Sequence, residues 1–182
     1  MDYEDLVRRN RKRPLATAGG MPVGLDLGRA DIERIIPHRA PFLLVDRLTG
    51  IDLEGKTVTG ERTVEPTDPL FAGHFPGYPV YPGSLQVEMI GQLGLCLWYF
   101  LSRGRASIGA DAAPVDIRAT RILGAAFLEP VPPGARLELV ARAIEHDGFF
   151  ARALGQVVLN GKVASVAVGE VVFVGDQARL SP

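Results

Sequence analysis

The sequence holds a single cysteine, Cys96, in 182 residues. One thiol forms no intramolecular disulfide, so the expected compartment is a reducing one, the cytoplasm. Net charge is nearly absent as well: 20 Lys and Arg stand against 21 Asp and Glu, a formal charge of −1. No global basic field exists to hold nucleic acid, which argues against that class of partner. No phosphate-cradling loop of P-loop type and no Cys/His metal spacing occurs, so no metal is expected. There is no low-complexity tract or internal repeat. The most apolar stretch, residues 84–101, is broken by Gln86, Glu88 and Gln92. It falls short of the roughly 20 apolar residues that a membrane span needs.

What is present fits a globular chain. Hydrophobic residues make up 47% and charged residues 23%, enough apolar mass for one core and one domain. Residues 1–29 read differently from the rest. Asp2, Glu4 and Asp5 precede a basic run of Arg8, Arg9, Arg11, Lys12 and Arg13, and a stretch containing Gly and Pro follows. No apolar segment follows the basic run, so it does not read as a secretory signal. The expectation is a flexible basic extension over 1–29, a single domain over 30–176 and a short tail over 177–182. The basic run is a candidate contact for an acidic partner protein.

Within the domain, Asp31 is placed to cap a short helix that Pro37 ends. Two β-rich runs follow, over 42–53 and 56–64, with Glu54-Gly55 between them. A Pro- and Gly-rich loop, 66–83, leads into the apolar segment at 84–101. That segment is apolar on nearly every side and so reads as a buried helix. Gly91 and Gly94 are expected to let strands approach it closely. Four more β-rich runs cover 115–125, 135–145, 149–160 and 162–174. Asp147-Gly148 and Asn160-Gly161 separate consecutive runs and suit tight turns with positive φ. The pattern predicts an α+β fold, with six mainly antiparallel strands wrapped around one long helix, the hotdog arrangement.

Two features carry chemistry. The first is Gly73-His74-Phe75-Pro76-Gly77-Tyr78-Pro79-Val80-Tyr81-Pro82-Gly83; the second is Glu88 in the apolar helix that follows. An imidazole titrates near neutrality and takes a proton readily, and a carboxylic acid in apolar surroundings donates one. Pro82 suits the start of the helix and leaves the amides of Gly83 and Ser84 to hold a developing oxyanion. Each group also has a plain structural reading. A His in a Pro/Gly loop serves as a hydrogen-bonder, and a Glu in an apolar helix sits at an edge or beside an Arg. His38 reads as structural, His146 as a turn residue and Cys96 as core.

These motifs resemble the β-hydroxyacyl-acyl-carrier-protein dehydratases (FabZ type, related to FabA), a hotdog family. The resemblance runs from about residue 31 to 174. It is densest in Pro37-His38-Arg39-Ala40-Pro41-Phe42-Leu43-Leu44-Val45-Asp46 and from Phe71 to Glu88, with 14 positions from His74 to Glu88. It implies dehydration of a 3-hydroxyacyl chain, carried on the phosphopantetheine arm of acyl carrier protein, to the trans-2-enoyl product. His74 would be the base, Glu88 the acid, and Gly83 with Ser84 the oxyanion site. Phe42, Phe75 and Pro82 are candidate tunnel walls. No cofactor or metal is implied. The expected assembly is a homodimer or a trimer of dimers, with a second hotdog subunit as a further option, and each site takes His and acid from different subunits. Glu at position 88 matches the plain dehydratase branch, whereas the isomerase branch has Asp. Ser84 and the bulkier Met89-Ile90-Gly91 depart from the usual pattern. Competing readings are a hotdog acyl-thioesterase and a non-catalytic hotdog partner subunit.

Overall fold

A computed structural model describes residues 1–174; the tail expected over 177–182 lies outside them. The elements in order are α1 (Tyr3–Arg9), β1 (Val23–Gly28), α2 (Arg29–Ile35), β2 (Arg47–Asp52), β3 (Thr57–Thr63) and α3 (Leu70–Gly73). They continue with α4 (Gly83–Arg103), β4 (Ile117–Phe127), β5 (Arg136–His146), β6 (Phe150–Leu159) and β7 (Lys162–Phe173). One antiparallel sheet of order β1-β2-β3-β5-β6-β7-β4 curls around α4. The sheet has seven strands rather than six, because β1 pairs with β2 from within the segment expected as a tail. No helix of the described residues is long and apolar enough to cross a membrane.

The local signals act where backbone chemistry is decisive. Asn160 and Gly161 take φ of 51° and 75° and join β6 to β7 directly, the two positive values that a tight primed turn requires. Gly148 has φ 87°, and the Asp147 carboxylate accepts from the amides of Phe149 and Phe150 at 2.9 and 2.7 Å. The long helix closes at Gly104, which is left-handed and donates its amide to Leu101, a common helix stop. Asp31 lies in the first turn of α2 but does not cap it; Gly28 holds that position without a side-chain bond.

The helix sits deep in the sheet because two strand glycines allow it. A Cβ at Gly155 of β6 would collide with Ile90 of α4 and stand 2.9 Å from the Val140 carbonyl. A Cβ at Gly60 of β3 would meet Leu93 at 3.1 Å. The close approach therefore comes from strand glycines. Gly91 and Gly94 of α4, expected in that role, face open space, with nothing within 4 Å of an added Cβ. Leu93, Leu97, Met89 and Phe100 are fully buried in the main cluster, together with Ile32 and Ile35 of α2. Cys96 is buried too, and desolvation pushes its thiol up to about 12, as suits a core residue.

The first 29 residues are structured. Val7 of α1 packs with Leu154, Val166 and Val168 on the outer face of the sheet. Gln156, fully buried, accepts from the Leu15 amide at 2.7 Å and donates to the Asn10 carbonyl at 2.7 Å and the Arg13 carbonyl at 3.1 Å. Tyr3 donates to Glu145 at 3.0 Å. Polar composition suggested a free arm, but these bonds are made by residues over 130 positions away. Beside them, Arg121 grips Glu170 with two bonds of 2.8 and 2.9 Å, and Arg152 bridges Glu170 and Glu145.

Two stability outcomes are expected. Gly155→Ala overpacks the helix seat and costs about 1–3 kcal/mol, read as a lower urea midpoint at unchanged slope. The second concerns Glu170, whose side chain is 2% exposed and whose carboxyl is held down at about 2, chiefly by Arg121. The unfolded chain therefore binds more protons between the ordinary 4.5 and about 2. This contribution is whole above that window and is lost as pH falls through it. The urea midpoint should drop across the window in the parent chain. In Glu170→Gln, already weaker at pH 7, this part of the drop should be absent.

Candidate active site

The loop between α3 and α4 holds His74 in one orientation. The His74 amide donates to the Leu70 carbonyl at 2.9 Å, and the Val80 amide returns to the His74 carbonyl at 3.1 Å. The Tyr81 amide donates to Val131 at 2.7 Å, which ties the loop to the segment before β5. Gly77, at φ 82°, makes the turn in between. His74 Nδ1 lies 2.9 Å from the Val80 carbonyl oxygen. A carbonyl only accepts, so this bond puts the proton on Nδ1 and the lone pair on Nε2. The ring stacks on Phe75 at 4.0 Å between centroids.

His74 lines a cavity of about 510 Å³ together with Phe75, Pro82, Gly83, Ser84 and Phe127. Pro82 precedes α4, and its carbonyl accepts from Leu85 and Gln86. The amides of Gly83 and Ser84, in the first turn, have no acceptor among the described residues, as helix geometry dictates. They lie at the positive end of a 21-residue helix, where negative charge is stabilised. A Cβ at Gly83 would stand 2.7 Å from the Phe127 ring, so a side chain there would have to displace that ring. Gln86, buried in the same wall, leaves its Oε1 without a partner among the described residues.

Glu88 lies elsewhere. It lines a separate groove of about 160 Å³ between α4 and the sheet, and its side chain is 33% exposed rather than sealed in apolar surroundings. Its Oε1 accepts from Gln92 at 2.9 Å and faces His38 Nε2 at 3.4 Å; Oε2 takes no bond among the described residues. Gln92 is fully buried and clamped at both ends. It donates to the Phe42 carbonyl at 2.8 Å and accepts from the Leu44 amide at 2.8 Å. Phe42 thus contributes its backbone here, and its ring lies beside His38 at 6.1 Å; it does not line the His74 cavity, whereas Phe75 and Pro82 do.

Within one chain the structure therefore gathers His74, Gly83, Ser84, Phe75 and Pro82, and sets Glu88 apart with His38 and Gln92. Two of these partners escaped the sequence reading. Gln92 stands four positions after Glu88, on the same helix face, a spacing that signals the pair. His38 carries no such signal, because 50 positions separate it from Glu88.

This architecture has known relatives. Residues 36–167 match the family model for a FabA-like domain. The 3-hydroxyacyl-[acyl-carrier-protein] dehydratase FabZ of Halalkalibacterium halodurans is 36% identical over 143 residues, covering 79% of this chain and 94% of that protein. The enzyme of the same name from Chlamydia trachomatis is 37% identical over 152 residues, 81% of this chain and 92% of that protein. Among solved structures, the dehydratase heterocomplex ApeI:P of Xenorhabdus doucetiae shares the fold with a TM-score of 0.54 at 18% identity, covering 81% of this chain and 93% of that one. The E. coli PaaI protein does so with a TM-score of 0.51 at 14% identity, over 70% of this chain and 78% of that one. With most of its length matched, the chain belongs to the FabA-like family and is a FabZ-type hotdog dehydratase.

Proposed function

We propose that the chain removes water from a 3-hydroxyacyl thioester carried on the phosphopantetheine arm of an acyl carrier protein, giving the trans-2-enoyl thioester. The observation that carries the roles is the His74 Nδ1 bond to Val80. It leaves a basic Nε2 facing a cavity that also holds the free amides of Gly83 and Ser84. In this reading the thioester carbonyl oxygen sits on those amides, which stabilise the enolate as the α-proton passes to His74 Nε2. Glu88 then supplies a proton to the departing 3-hydroxyl. The C–H and C–O bonds break, the C=C bond forms, and water leaves. Gln92 and His38 hold Oε1 of Glu88, which keeps Oε2 for the proton.

His74 and Glu88 line different cavities of one chain, which favours a site completed between two copies. The strand β4 supports the same assembly. It is one of the two edges of the sheet, pairs only with β7 among the described residues, and exposes Ile122 by 65% and Phe127 by 57%. An exposed edge of 11 residues is a ready template for another strand. A second copy paired there makes the homodimer. A thioesterase reading uses only the carboxylate and leaves the oriented His74 without a task.

The basic run offers a candidate contact for an acidic carrier as well. Arg8 and Arg9 are paired with Asp5, while Arg11, Lys12 and Arg13 are exposed on the segment that Gln156 fastens to the sheet.

Two outcomes test this function. The protein should hydrate a trans-2-butenoyl thioester, the reverse reaction. His74→Ala and Glu88→Gln should each lower kcat by about 10²–10⁴-fold with the urea midpoint retained; full activity in either folded variant overturns the assignment. Reversing Arg11, Lys12 and Arg13 to Glu should lower kcat/KM on a carrier-protein substrate at low salt and not on a pantetheine thioester. An equal effect on both substrates removes the docking role.

A further inference from the structure

The loop that carries His74 has one buried side chain to anchor it. Between Phe71 and Gln86 the only buried residue is Tyr81, which is 2% exposed. Just before it stands Val80, whose carbonyl accepts from His74 Nδ1 and whose amide donates to the His74 carbonyl. The Tyr81 amide is tied to Val131 by a bond of 2.7 Å, and its ring packs against Phe71 at 6.2 Å between centroids.

The Tyr81 hydroxyl meets a buried cation. Burial holds this hydroxyl above its ordinary pKa, and the Arg62 guanidinium, hydrogen-bonded to it, opposes the rise. Arg62 belongs to β3, where alternate residues share a face. On that face Val58 and Val64 join the main core and Gly60 admits Leu93. Arg62 therefore occupies a core position, with its side chain 7% exposed. Its charge is met by Asp46, whose Oδ1 accepts from it at 2.8 Å. Asp46 is itself held by Arg29 at 3.0 Å and by the Thr63 amide at 2.7 Å. An apolar side chain would fill this space without the cost of burying a charge. What the guanidinium adds is a rigid fork of donors in a fixed direction.

We infer that Arg62 is a positioning residue for the reaction: anchored by Asp46, it fixes the Tyr81 hydroxyl and thereby the Val80 carbonyl that orients His74. The inference rests on the function proposed above, which makes His74 Nε2 the base. The link from Tyr81 to Val80 is stiff, because the Val80 carbonyl and the Tyr81 Cα belong to one planar peptide unit. A Tyr81 side chain that shifts therefore carries with it the acceptor of the Nδ1 bond. An ion pair between β3 and the segment before β2 thus sets which nitrogen of His74 stays free, although neither Arg62 nor Asp46 lines the His74 cavity.

Tyr81→Phe removes one oxygen and keeps the ring on Phe71, so it tests the anchor with the loop still packed. In the full-length protein it should lower kcat for hydration of the butenoyl thioester by up to about 100-fold, the scale of a reacting group misplaced by about 1 Å, with KM unchanged. Nitrogen-15 NMR of histidine-labelled protein reads the same change without turnover. In the parent chain the His74 signals, assigned by their loss in His74→Ala, should show the proton on Nδ1; in Tyr81→Phe the two tautomers should mix. Arg62→Met should reproduce both effects, and Arg62→Lys, which keeps a cation and a donor, should recover part of the kcat. Where Arg62→Met does not fold, Tyr81→Phe decides alone. A parental His74 spectrum in Tyr81→Phe overturns the inference, whatever the urea midpoint does, and so does a parental kcat. Failure of the parent protein to hydrate the butenoyl thioester would instead overturn the proposed reaction, and the tautomer in Tyr81→Phe would still decide whether Arg62 and Tyr81 hold His74.

Discussion

The depth at which α4 seats in the curled sheet governs the rest of the molecule. Gly60 and Gly155 remove side chains where Leu93 and Ile90 press closest, so the helix sinks until backbone and side chain touch. Its N-terminus then comes level with the His74 loop, and its first turn offers free amides to the cavity that His74 lines. Further along, the helix carries Glu88 to the mouth of a groove that its own glycines hollow out. The seat of the helix, the position of its free N-terminal amides and the groove beside Glu88 are consequences of one close approach.

Polar order around His74 and Glu88 is built by different means. His74 is fixed by a loop whose amides and carbonyls bond mainly to one another, with the Val80 carbonyl accepting a hydrogen bond from Nδ1–H. Glu88 is fixed through Gln92, whose amide is anchored to the backbone of the segment after Pro41. His74 is thus oriented locally and Glu88 through a clamp spanning about 50 residues. This difference explains why the loop motif reads so plainly in sequence while the surroundings of Glu88 do not.

Much of the fold was legible. The turns at Asp147-Gly148 and Asn160-Gly161 lie where local backbone preference alone decides, and the last four strands begin and end within about two residues of expectation. The buried helix is announced by its all-round apolarity. Other features were misassigned for a physical reason. Residues 1–29 are polar enough to read as a free arm, but Gln156, Glu145 and the apolar face around Val7 capture them, and β1 extends the sheet. Gly91 and Gly94 suggested close packing, because a glycine in a helix looks the same from sequence whether a strand or a void lies beside it.

By itself the sequence determined the buried helix, the last four strands and the family, and it singled out His74, Glu88 and the Gly83 helix start as candidates, since these depend on residue type and short spacing. Tertiary structure alone decided which nitrogen of His74 is free, what holds Glu88, and which glycines admit contact. It also put His74 and Glu88 in separate cavities. Those properties arise from residues brought together across the fold, and no local rule encodes them. The lone cysteine and near-zero charge, uninformative about chemistry, fit a molecule whose function depends on a few groups held in place by packing.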